Sequence, residues 1–431
     1  MSIYAVALLS ASACAADGNV GERAEEARER FLAEELAVGA HWEQQGRTPR
    51  NTSYNPFESV LNANTIATLS TLWSVPLASN TLLLRNDVVY VQTNLQIRAL
   101  STDTGEALWP YDYGVLGGYT GGGIIALQPG CDPYRILRLN ALHGGVTWDV
   151  SAVNTHCGDD STSFKTQARL WRDWVYFADS SFGEPWGEGS ESCSTSYGGS
   201  SGLVAWNVRE ALSWSRSVPL IATTPSVAND TLFISGPVQD TCSGEVVGGN
   251  TLALNAWTGE TIWASPVGRD PRRRQLSGSL PGPAPTIING HVYVADGAGT
   301  WVALDERTGD EVWRHTSATS ALGPGELAAT FDEIVISNEK PEQSRVLVEV
   351  IEPATGNLIR SMSVAGRNFT RPVIAGELVY VGVNSTLHVF ELKTGALLRE
   401  LPLSSLIKDV IVANGAVYVT TTQNAYRLGP S

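Results

Sequence analysis

The phrase Ala-Leu-Asn-Ala-Trp-Thr-Gly-Glu-Thr-Ile-Trp, residues 253–263, returns nearly unchanged at residues 303–313 and again at residues 99–109. Each copy is a short apolar run, a Thr-Gly turn and a closing Trp. A supersecondary unit that recurs along a chain cannot bury its apolar face alone and has to stack on its own copies, so this repetition restricts the possible folds more than any other feature.

Residues 285–316 show the whole unit. An apolar strand meets a turn at Asn289-Gly290. A second strand, a loop and a third strand lead to the turn Arg307-Thr308-Gly309 and a fourth strand carrying Trp313. The same order is legible around residues 85–109, 228–263 and 375–400, and in weaker form around 135–148, 202–214 and 346–359. An eighth unit, residues 410–428, stops after three strands, and the run Leu69 to Leu77, with Trp73, is the candidate for its fourth. Sharing one sheet between chain start and chain end closes a ring and leaves no open edge. The expected fold is therefore all-β, an eight-bladed β-propeller of four-stranded antiparallel blades, with seven blades as the alternative count. Trp73, Trp109, Trp148, Trp214, Trp263 and Trp313 fall at one repeat position, which assigns them to packing between blades.

The motif Ala-Leu-x-x-x-Thr-Gly-Glu/Asp-x-x-Trp at Ala99 to Trp109, Ala253 to Trp263 and Ala303 to Trp313 resembles the repeat of the quinoprotein-type, pyrroloquinoline quinone (PQQ) propeller family, over roughly Trp42 to Leu428. The segment 42–73 is similar to the one that opens secreted members. The family contains PQQ-dependent dehydrogenases and also non-catalytic propellers, among them the propeller lipoprotein of the outer-membrane barrel-assembly machinery. Fold resemblance alone does not choose between them. The dehydrogenases carry an adjacent-cysteine disulfide, a Trp beneath the quinone, an Asp base and a Ca²⁺ site. This chain has no adjacent cysteines, and nothing in its sequence marks Asp159, Asp160, Asp240 or Asp296 as base or ligand. A non-catalytic protein-binding or assembly scaffold with no cofactor is the expected function; a PQQ- and Ca²⁺-dependent dehydrogenase of alcohols or sugars is the alternative.

The bulk numbers agree with a globular β protein: 431 residues, 42 Gly and only 17% charged residues. A net charge of -15 argues against nucleic acid as a partner, because phosphate binding needs a basic surface. Residues 1–14 read as an export signal ending at Cys14, a candidate lipidation site, although no Lys or Arg precedes the apolar run. Residues 15–41 are expected to form a helical tether, with a helix from about Glu22 to Ala37 whose apolar stripe is Ala24, Ala27, Phe31, Leu32 and Leu36. Residues 42–68 are a lead-in and 69–431 the propeller. No run reaches the length of a transmembrane span. The expected location is extracytoplasmic: periplasmic, outer-membrane anchored or secreted.

In a four-stranded blade the first-to-second and third-to-fourth connections share one face. Here those turns are short, while the opposite face holds the insertions 151–163, 180–201, 236–250, 268–283 and 338–344. Long loops on a rigid scaffold are where recognition concentrates, so a protein partner is expected on that elaborated face. Its candidate contacts are Arg269, Arg272, Arg273 and Arg274, suited to bidentate contact with carboxylates, and Trp186 and Tyr197. Cys131, Cys157, Cys193 and Cys242 also fall there. Four cysteines allow three pairings; loop placement favours Cys131 with Cys157 and Cys193 with Cys242. The six His residues show no metal-binding spacing.

Overall fold

The computed structural model describes residues 20–128, 135–151, 166–179, 201–209, 213–220, 222–239, 246–267, 283–296, 299–317 and 325–431. They form eight antiparallel sheets of four strands each, one of which gains a short fifth strand. Seven sheets follow chain order, beginning with Thr81–Arg85, Val88–Thr93, Gln96–Ser101 and Ala107–Asp112 as the first blade. The last sheet joins Ile407–Ala413, Ala416–Thr421 and Ala425–Pro430 to Leu69–Val75. Trp73 lies opposite Arg427 and Ser74 opposite Tyr426 in that ladder. The first strand of every blade touches the first strands of both neighbouring blades, around a closed circle. Eight blades, with the ring closed by the chain's two ends, is the architecture expected from the repeats.

Burial follows position in the blade. Second strands such as Leu378–Val383 and Ala416–Thr421 are buried throughout, because each lies between two neighbouring blades, and they read as continuous apolar runs. Outer strands bury little. Ala107–Asp112, Thr261–Pro266 and Glu311–Thr316 each bury only their third residue, the Trp. That Trp packs on the aromatic of its own second strand: Trp109 on Tyr90 at 5.8 Å, Trp263 on Phe233 at 5.9 Å and Trp313 on Tyr293 at 5.7 Å.

It also reaches the next blade. The indole N–H of Trp73 donates to the Thr102 carbonyl at 2.6 Å, Trp109 to Ala141 at 2.9 Å, Trp214 to Ala256 at 3.2 Å, Trp263 to Glu306 at 3.0 Å and Trp313 to Pro353 at 2.7 Å. Each acceptor belongs to the third turn of the following blade, and each indole lies over that turn's glycine. Two unrelated requirements meet at Gly309: its φ of +77° suits glycine, and a Cβ there would stand 2.6 Å from the Trp263 ring. The Thr-Gly turn and the Trp are thus the two halves of one interblade joint. Burying an indole contributes a few kcal/mol by area. The sixth blade substitutes Met362, which lies over Gly395, and the seventh substitutes Arg399, which donates to the Leu69 carbonyl at 3.1 Å. For Trp148, the turn it would meet, 210–212, lies outside the described residues.

The helix α1, Val20–Val38, covers the expected span, but its buried face differs from the expected stripe. Leu32 and Leu36 are exposed; Phe31 and Glu35 are buried. Phe31 meets Phe331 edge-on at 4.7 Å, and the Glu35 carboxylate pairs with Arg47 inside the protein. An apolar residue and an ion pair one turn apart dock this helix, which hydrophobic spacing alone does not reveal.

Candidate functional site

The first strands of a propeller present their unpaired edges to the central axis, and buried backbone groups need partners. The lead-in supplies them. From Trp42 to Glu58 it runs once around the axis, bonding each blade in turn. Trp42 exchanges both backbone hydrogen bonds with Leu84, and Glu43 accepts from the Tyr119 N–H at 2.7 Å. The Gln44 amide both donates to and accepts from the Leu170 backbone. The carbonyls of Pro49, Arg50, Thr52 and Ser53 then accept from Val227, Ile287, Ala329 and Ile374. Asn55 donates to the Val412 carbonyl at 2.8 Å, and Glu58 accepts from the Gly415 N–H at 3.0 Å, which completes the circuit at the eighth blade. Tyr54–Asn55 also adds the parallel fifth strand to the seventh blade. Positive φ values at Arg47, Asn51 and Ser53 bend the segment round.

Charged groups cluster on this circuit. Arg169 is fully buried; its guanidinium donates to the carbonyls of Pro225, Gln45 and Thr48 and to the Asn51 side chain. Arg371 donates to Glu326 at 3.1 Å and to the same Asn51 oxygen. Asp409, half-buried, accepts from the backbone N–H groups of Leu82 and Val410, each at 2.9 Å. Burial by the surrounding strands pushes its carboxyl up to about 7, against the opposing effects of those two hydrogen bonds and of Arg371. Burial likewise lowers Arg169 and Arg47 to about 9. Gln167 reaches Thr81 at 2.9 Å.

These groups are engaged with one another. A Ca²⁺ site needs six to eight oxygens whose lone pairs converge on one point. Here the Asn51 oxygen already takes two guanidinium donors, Glu326 takes Arg371, and both Asp409 oxygens take backbone N–H groups. Among the described residues, no group of three or more His, Cys, Asp or Glu could hold a metal. The described axial oxygens are thus directed at protein donors and do not converge on a common point as a Ca²⁺ site requires. Asp296 is tied into its own hairpin, accepting from the Thr300 N–H at 2.9 Å. The five described His residues are dispersed: His41 accepts from the Asn86 N–H at 3.4 Å, His143 from the Gly145 N–H at 3.1 Å, His291 lies beside Tyr293, His315 faces Glu349 at 3.8 Å and His388 faces Glu400 at 3.2 Å.

The partner contacts Arg269, Arg272, Arg273, Arg274, Trp186 and Tyr197 lie outside the described residues, as do Asp159, Asp160, Asp240 and all five cysteines, Cys14, Cys131, Cys157, Cys193 and Cys242. Of the insertion 236–250, the described parts extend a hairpin, pairing Gln239 with Val246. Arg169, Arg371, Asp409 and Asn51 were not distinguished by any motif, since each sits in a different segment and only ring closure brings them together.

The sequence model of the family described as outer membrane protein assembly factor BamB matches residues 200–429, more than half of the chain. The chain belongs to this PQQ-repeat β-propeller family. Two curated relatives show how far the likeness extends. Tetrathionate hydrolase of Acidithiobacillus ferrooxidans is 26% identical over 232 residues, 48% of this chain and 43% of that protein. BamB of Yersinia pestis is 25% identical over 210 residues, 44% of this chain and 49% of that protein. The matches thus span less than half the length of either relative. Among solved structures, quinohemoprotein alcohol dehydrogenase from Comamonas testosteroni aligns over 95% of this chain and 85% of its own, with a TM-score of 0.66 at 13% identity. BamB from Moraxella catarrhalis aligns over 84% and 99%, with a TM-score of 0.58 at 15% identity. At such identities these structures speak for the fold of this PQQ-repeat propeller. No helix among its described residues is long and apolar enough to cross a membrane.

Proposed function

We propose that this PQQ-repeat propeller is a non-catalytic protein-binding or assembly scaffold at the cell envelope. One observation carries the reading: Arg169, Arg371, Glu326 and Asp409, charged groups described near the axis, are engaged by the lead-in, by blade backbone or by one another. Groups engaged in this way stabilise a closed ring and leave no convergent acid, base or ligand set among the described residues. The family description and the Yersinia pestis relative, both named for outer membrane protein assembly, support the same reading.

On this proposal the protein is exported through residues 1–14, Cys14 being the point for a lipid anchor, and the partner binds the elaborated face. Arg269, Arg272, Arg273 and Arg274 contact its carboxylates, Trp186 and Tyr197 add aromatic contacts, and disulfides Cys131–Cys157 and Cys193–Cys242 staple the loops. The test is cross-linked co-purification from the native envelope with the intact chain and with Arg272→Ala/Arg273→Ala/Arg274→Ala. Loss of a specific partner by about tenfold or more in the variant supports the scaffold. Capture that is the same for both chains, or turnover of tetrathionate or of an alcohol by the purified protein, contradicts it.

A further inference from the structure

The face opposite the insertions carries a feature that the scaffold reading does not use. Between the third and fourth blades lies a groove of about 440 Å³, lined by Trp174, Trp214 and Trp257 and by Arg172, Asp173, Asn207 and Ser213. Trp257 is 40% exposed, yet it is held by edge contacts to Trp171 at 5.1 Å and Trp174 at 5.9 Å. Its place in the Thr-Gly turn is taken elsewhere by Asp103, Leu142, Arg307, Ala354 and Lys393, so the turn itself does not require an aromatic there.

Arg172 is equally out of pattern. It occupies a left-handed position, φ +53°, that the corresponding turns of other blades give to Asn86, Gly121, Asn229, Asn289, Gly376 and Asn414. An Arg in that conformation is strained, and strain of this kind is retained where a side chain is needed. Its guanidinium centre stands 4.4 Å from the Trp171 ring centroid and 5.3 Å from that of Trp257. Among the described residues, the buried indole N–H of Trp174 finds no hydrogen-bond partner.

We propose that this groove is a saccharide-binding site for a neutral sugar of one or two residues. Exposed indole gives the flat apolar surface on which the C–H face of a pyranose ring stacks. Carboxylate, amide, hydroxyl and guanidinium groups supply the mixture of donors and acceptors that sugar hydroxyls need. The charges pair off, Arg172 with Asp230 at 3.4 Å and Asp173 with Arg209 at 2.7 Å, so the groove favours a neutral ligand over an ion. Its volume suits a small molecule. A proline-rich peptide would dock on an aromatic-lined groove too, but four polar residues among the seven lining it are more than that mode uses.

Saturation-transfer NMR and titration calorimetry on the full chain with maltose, cellobiose and N,N′-diacetylchitobiose at millimolar concentration test this directly, independently of any protein partner. At least one disaccharide is expected to bind saturably. Trp257→Ala should weaken it by about tenfold or more, while Trp257→Phe keeps most of the affinity. Arg172→Gly provides a second variant that does not endanger the fold: it should raise the melting temperature, by relieving the left-handed strain, and still lower sugar affinity. No binding by any of the three sugars, binding indifferent to Trp257→Ala, or preferential binding of a proline-rich peptide at this groove would overturn the proposal.

Discussion

The indole of Trp263 covers Gly309 of the next blade, at the spot where any larger residue would begin its side chain. Trp263 is buried and anchored through its N–H to Glu306. The two residues are 46 positions apart and yet form a single joint, and the same joint recurs between Trp109 and Gly144, Trp214 and Gly259, and Trp313 and Gly356.

Gly309→Ala should therefore destabilise the protein by about 2–4 kcal/mol, combining the positive-φ cost with displacement of the indole. Trp263→Ala should cost about 3–5 kcal/mol. The double variant should fall short of the sum by about 1 kcal/mol or more, because the methyl group introduced at position 309 would occupy space the indole has left. Urea denaturation of the four proteins gives the coupling; strict additivity would mean that the joint does not exist.

The pair Glu35–Arg47 predicts an asymmetry. Both side chains are buried, and Arg47 also donates to the carbonyls of Gly39 and Tyr54. Glu35→Ala strands a buried guanidinium and should cost about 3–5 kcal/mol. Leu36→Ala, one residue on but exposed, should change stability by less than about 0.5 kcal/mol. Equal effects at the two positions would contradict the docking of α1.

Asp409 sets a pH dependence. Its carboxyl is raised to about 7 in the folded state from the usual carboxylate value, so between roughly pH 4 and 7 the folded protein binds more protons than the unfolded chain. Stability from this group is present at low pH and is lost as the pH rises through 7. Asp409→Asn should flatten the stability profile between roughly pH 4 and 7, by about 1 kcal/mol or more relative to the parent. Superimposable profiles by chemical denaturation would contradict the assignment.

Ring closure predicts the effect of truncation. A chain beginning at residue 76 lacks Leu69–Val75 and leaves Ala425–Pro430 as an open edge. Such an edge templates association. Size-exclusion chromatography should show aggregation or loss of the cooperative transition, whereas an unchanged elution volume and melting temperature would contradict closure.

Much of this architecture was legible because blade packing demands the same residues each time. Gly309 and Trp263 have repeat partners, so the pattern announces itself, and Leu69 to Leu77 could be matched to the missing strand by its Trp73. The lead-in had no such signature. Its carbonyls bond a different blade every residue or two, so backbone rather than side-chain identity determines its path. What signal it carried lay in polar residues without periodicity, Arg47 to Asn55, most of which end up buried. The helix stripe misled for a related reason: an ion pair at Glu35 can dock a helix as well as Leu36 could. Trp257 and Arg172 escaped notice in the sequence because the repeat holds their turn positions only loosely, and the structure is what places them side by side.

On the proposed reading, a propeller whose inner strands are bonded by its own lead-in serves assembly and not cofactor chemistry. Addition of PQQ and Ca²⁺ to the purified full-length protein, followed by absorbance spectroscopy and dye reduction with a panel of alcohols and sugars, tests it most directly. The account predicts no bound-quinone absorbance and no dye reduction above buffer. Stoichiometric quinone binding with substrate-dependent dye reduction would contradict it.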